Sequence, residues 1–177
     1  GGGTALTGVT IDGKDAVDLP AVRTQAPGDL SVTSGAAITD SGTLNIAGTV
    51  TMNANTGASD ITLDDNGDAT YTNTYGTLLL TGATVTVTEN AATDLGLCST
   101  DRLTVTNRAG GISDSNTVTV SVGTAQFTTQ AADDQINLGT LDLAAAGPHS
   151  FNTAGTAGHV TVVNANGINF GGSTVNG

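Results

Sequence analysis

An internal repeat of about 75 residues constrains this chain more than any other feature. The stretch DLSVTSGAAITDSGTLNIAGTVTMNA, which begins at Asp29, and RLTVTNRAGGISDSNTVTVSVGTAQFTT, which begins at Arg102, follow one plan. Leu30 falls on Leu103 (103 − 30 = 73), Ile38 on Ile112 (112 − 38 = 74), Leu44 on Val118 (118 − 44 = 74) and Met52 on Phe127 (127 − 52 = 75). The opening residues fit the same scheme: Val9 and Ile11 match Val85 and Val87, and Leu19 matches Leu95 and then Phe170. A fixed period of this length marks a stacked array rather than a single globular core. Residues 1–28 thus read as the tail of a preceding unit, 29–102 as one full unit and 103–177 as a second, all in one continuous β-solenoid.

Within a unit, segments such as LSVTS, TLNIAG, TVTMNA, DITLDD and TVTVTE alternate an apolar residue with Thr, Ser or Asn. Alternation of period two marks a strand with one buried face. Gly, Asn and Asp at the breaks supply turns. Two all-β solutions remain, tandem sandwiches or a β-helix. A sandwich needs roughly 100 residues around a thick core, whereas aromatic residues make up only 3% of this chain. A 75-residue unit divides instead into three coils of about 25 residues, with Leu30, Ile38, Leu44 and Ile46 facing inward. At about 1.5–3 kcal/mol for each buried aliphatic side chain, four to six per coil offset much of the ordering entropy. Leu44 and Val118, which hold the same place in successive units, should both face the core.

The 4 Lys plus Arg against 16 Asp plus Glu leave a net charge of −12. That surface repels phosphate backbones and anionic lipid, which argues against nucleic-acid binding and membrane docking and favours divalent cations. Glu89 is the only glutamate, so the acids are mostly aspartates, which suit turns where a short side chain caps its own backbone. Cys98 stands alone, excluding an internal disulfide, and its neighbours in LGLCST mark a small buried residue. No apolar run approaches the ~18 residues of a membrane span.

The segment LDDNGDATYT sets Asp64, Asn66 and Asp68 at alternate positions, as in a D-x-N-x-D calcium loop. No bidentate Glu follows, and DNGD equally makes a turn between strands, the preferred reading; calcium here would be weak, and no other cofactor is implied. Asp133 and Asp134 read the same way. His149 and His159 have no acidic residue between them, and each reads as part of a turn rather than as a base. Lys14, Arg23, Arg102 and Arg108 are scattered, and no GxSxG, HExxH, CxxC or phosphate loop is present. Enzymatic chemistry is therefore not expected. Asn53, Asn107 and Asn164 end strands, where amides could stack as ladders.

The elements TQAPGDLSVTSGAAITDSGTLNIAG, SDITLDDNGD, DLGL and GGISDSNTVTVSVGTAQFTT with ADDQINLG together cover nearly the whole chain. They resemble the β-strand repeat proteins related to filamentous haemagglutinin, large exported surface proteins of bacteria. The resemblance implies a right-handed parallel β-helix, secretion to the cell surface, and a role as adhesin stalk or adhesive matrix element. Two alternatives stand beside that reading: a self-assembling filament or sheath, and a carbohydrate-active enzyme on a β-helix. The expected partners are further copies or flanking repeats of the same protein, and surface glycans. GGGTALTGVT and GGSTVNG match the repeat interior and lack cap residues, so further coils are expected beyond them.

Overall fold

Short alternating segments can bury their apolar faces only against another coil, and the chain does this throughout. The computed structural model describes residues 6–64, 72–144 and 147–176. Among these residues, 15 strands form one parallel sheet wound into a β-solenoid of about 7 turns. Helix among the described residues is confined to one 3-10 turn at Asn55–Gly57. The parallel β-helix read from the repeat is thus the fold.

In the first coils, β1 (Leu6–Gly13), β2 (Val17–Leu19) and the start of β3 (Val22–Ser34) mark three sides of a triangle. The rest of β3, with β4 (Ile38–Asp40) and β5 (Leu44–Asn45), repeats the pattern one level up, and β6 (Val50–Ala54) and β7 (Ile61–Leu63) continue it. Next, β8 (Thr77–Glu89) and β9 (Thr93–Asn107) each run round a corner without interruption. β8 lays Leu78 on Val50 and then Val85 on Ile61, so one strand covers two sides. Gly82 sits between them, where a Cβ would lie 3.0 Å from Cδ1 of Ile61. The upper coils comprise β10 (Ile112–Asp114), β11 (Val118–Val120), β12 (Ala125–Ala132), β13 (Ile136–Leu143), β14 (Ser150–Ala154) and β15 (Val160–Asn164).

The core is a set of vertical columns. One runs Ile11, Val32, Met52, Leu80, Cys98, Val118, Leu141. A second runs Val87, Val105, Phe127, Phe151, where the two rings stack at 5.4 Å and Phe170 meets Phe151 edge-on at 5.9 Å. Leu30, Ile38, Leu44 and Ile46 are buried as expected, and Leu44 and Val118 are both fully enclosed.

The columns also fix how the sequence repeat maps onto the coils. Leu103 is reached from Ile38 by three coil-to-coil steps, through Ile61 and Val85. Its sequence counterpart Leu30 stands on the neighbouring side, in the column Val9, Leu30, Val50, Leu78. One repeat therefore advances three coils and one further side.

Candidate functional site

Several aspartates stand at the corners, but not as caps of their own turns. Asp114 accepts the N–H groups of Gly139 and Thr140, both at 2.7 Å, and the Thr140 hydroxyl at 2.9 Å. Asp29 accepts the Thr49 N–H at 2.7 Å, and Asp60 that of Thr84 at 3.0 Å. The partners lie 20 to 26 residues away, which is one coil. Stacked corners bring each carboxylate about 4.8 Å from the backbone of the adjacent level, close enough for a short side chain to bridge. The expectation that most of the aspartates cap their own turns is corrected for these three: their carboxylates staple one coil to the next.

A groove of about 360 Å³ opens at one such corner, between Gly110, Gly111, Ser113, Asp133, Asp134 and Asn137. Gly110 and Gly111 take φ of 96° and 82°, and Asp133 takes 67°, the left-handed geometry a sharp corner requires. Asp134 accepts the Gly110 N–H at 2.7 Å. Asp133 accepts the N–H groups of Thr156 and Ala157, both at 2.8 Å, and these bonds hold its carboxyl below the usual range. The groove thus offers the Asp133 carboxylate and further acceptor oxygens at one corner of the rod.

Polar side chains also enter the interior on the third side. Asn73 donates to Asp40 and accepts the Leu44 N–H, each at 2.6 Å. Glu89 is fully buried and accepts the Tyr75 N–H at 2.8 Å through Oε1, while Oε2 has no partner. Burial pushes its carboxyl up from about 4.5 to about 8, against the pull of the Tyr75 N–H and Thr93, so it is protonated at neutral pH. Asn107 donates to the Ala91 carbonyl and the Thr93 hydroxyl, 16 and 14 residues back along the chain, and accepts the Gly111 N–H of its own turn. The expected amide ladder is absent, because Asn53 stacks between Thr33 and Thr81 and Asn107 between Glu89 and Thr129.

Of the residues singled out in the sequence, Asp64 donates its backbone N–H to Asp40 at 3.1 Å, while Asn66 and Asp68 lie outside the described residues. His159 is exposed at a turn as expected. His149 is not: it is fully buried, and its ring bonds the backbone through both nitrogens. No sequence signal separated the two histidines, since burial of position 149 depends on its stacking over Ala125. Cys98 is buried, and desolvation pushes its thiol up to about 12. Among the described residues, no group of three or more His, Cys, Asp or Glu could hold a metal ion, and no helix is long and apolar enough to cross a membrane.

A parallel solenoid whose acids bind its own coils together is the class of protein these residues define. The chain belongs to a family described as repeats of unknown function (DUF5649), which matches residues 6–80 and 82–156. The two matches start 76 residues apart (82 − 6 = 76) and meet at the Gly82 bend in β8. No curated protein and no solved structure matches the chain.

Proposed function

We propose that this chain is a non-enzymatic structural segment of an exported bacterial surface protein, acting as a stalk or adhesive matrix element of the filamentous haemagglutinin kind. The observation that carries this reading is where the acidic groups are used. Asp29, Asp60, Asp114, Asp133 and Asp134 are all engaged in bonding one level of the rod to another. An aliphatic core continuous through about 7 coils supports the same reading, since it suits a stiff spacer that sets distance. Calcium plays at most a minor part here: Asp64→Asn with Asp68→Asn should leave the fold intact, and titration calorimetry should find only weak binding.

A self-assembling filament is the second reading, favoured by the apolar end of the stack. Phe170 and Val175 are 60% and 50% exposed on the last coil, over His149 and Thr153, which are buried one level below. Such a face, beside unpaired backbone groups, suits another coil of the same kind. Electron microscopy of the native material separates the two. Single rods projecting from an envelope support the stalk, long ordered polymers support the filament, and a dispersed globular particle rejects both.

A further inference from the structure

We propose that Asn166 is a self-modifying site, at which the Gly167 amide nitrogen converts the Asn166 side chain to a carboxylate and unfastens the corner that ties β15 to β13. Among the described residues, Asn166–Gly167 is the one Asn–Gly pair. Both residues are exposed, just beyond the end of β15. The attack needs a backbone N–H that no other group holds, and a following residue too small to block the approach. Gly167 meets both conditions: none of the described residues bonds its N–H, and nothing lies within 4 Å of the place a Cβ would take. Other asparagines fail the first condition. The N–H after Asn164 donates to the Leu141 carbonyl at 2.8 Å, the one after Asn73 to Leu44 at 2.9 Å, and the one after Asn45 to Thr74 at 2.9 Å.

The reaction balances with water alone. The Gly167 nitrogen gives its proton to solvent base and bonds to Cγ of Asn166, the Cγ–Nδ2 bond breaks, and the side-chain nitrogen leaves as ammonia. Water then opens the five-membered imide at either carbonyl, giving aspartate or isoaspartate. The place matters because Asn166 is itself a staple. Its Nδ2 donates to Oδ1 of Asp142 at 2.7 Å, across 24 residues, which is one coil. Its carbonyl accepts from Nδ2 of Asn164 at 3.0 Å, and Oδ1 of Asn164 accepts the Leu143 N–H at 2.8 Å. In the aspartate form a second carboxylate faces Asp142, so an attraction becomes a repulsion at hydrogen-bond distance. In the isoaspartate form the donor to Asp142 is lost as well, and the backbone gains one carbon at the corner that Asn164 holds.

The test ages the whole chain in mildly alkaline buffer, where the attacking nitrogen loses its proton more readily, and follows each asparagine by peptide mapping with mass spectrometry. Asn166 should convert with release of ammonia, while Asn45, Asn73 and Asn164 stay amides over the same time. The φ of Gly167 lies outside the left-handed region, so Gly167→Ala keeps the fold, and its methyl group should slow the conversion several-fold. Hydrogen exchange then reads the consequence. In the aged protein and in Asn166→Asp, amides of residues 141–143 and 160–165 should lose protection about tenfold or more, the effect of one lost hydrogen bond to a charged group, while those of β4 to β8 should not change. If Asn166→Asp does not fold, the aged protein alone decides. An Asn166 that stays an amide while a free peptide of residues 163–170 converts overturns the proposal. So does conversion that leaves the protection of those amides unchanged, or equal conversion of Asn164 and Asn166.

Discussion

Asp114 shows how much one short side chain does in this fold. Its carboxylate takes three hydrogen bonds from Gly139 and Thr140 on the next level. Replacing it by Ala leaves two amides at a corner without their partner, and should cost about 1–3 kcal/mol in chemical denaturation. Glu89 makes the opposite case. Its carboxyl titrates at about 8 in the fold and near 4.5 once exposed, so the folded form holds a proton that the unfolded form releases. The contribution of Glu89 is therefore complete below about pH 4.5, declines by up to ~1.4 kcal/mol per pH unit, and is gone above about pH 8. Glu89→Gln keeps an acceptor for the Tyr75 N–H and removes the titration. The variant should be the more stable protein at pH 8 and should lose the downward slope between pH 5 and 8; identical slopes would refute this account of Glu89. Neither role was legible in the sequence. The excess of aspartate pointed to corners, but the partner of each acid lies a full coil away, and only the stacking register identifies it.

The elements were far more legible. Alternation of Leu, Val and Ile with Thr marked the aliphatic inward faces, and Leu30, Ile38, Leu44, Ile46 and Val118 are all enclosed. What alternation cannot report is which side of the coil a strand occupies. The repeat aligns Leu30 with Leu103 because both open a long strand segment, although three coils take only 65 residues from Ile38 to Leu103 (103 − 38 = 65), so that a repeat offset of 73 overshoots by one side. Gly82, where β8 passes from one side to the next, looked in the sequence like any other glycine. The upper columns differ from the lower ones in a way that tests the packing. Phe151 fills the space between Phe127 and Phe170, so Phe151→Ala should open a cavity and cost about 3–5 kcal/mol. Val163→Ala, on the exposed end, should stay within about 0.5 kcal/mol of the parent. Comparable losses at both positions in urea denaturation would mean that the outer face of β15 is covered in solution.

For the whole molecule, the mismatch between repeat and coil becomes geometry. About 7 coils at about 4.8 Å make a rod of roughly 34 Å, and each repeat of three coils and one side adds about 16 Å. Because the extra side turns the chain by about a third of a revolution, any surface feature that recurs with the sequence faces a new direction in each successive repeat. Three repeats would present it all round the rod, which suits a stalk meeting its surroundings from every side. Spin labels can measure this directly. Thr39 and Thr104 point outward from one face, linked through Thr62 and Thr86, so labels there should lie about 14 Å apart along the axis. Ser31 and Thr104 are equivalent in sequence but stand on different sides, so that pair should be clearly farther apart. Cys98, buried and with its thiol pushed to about 12, stays unlabelled in both variants. Equal separations for the two pairs would place Ser31 and Thr104 on one face and remove the rotation.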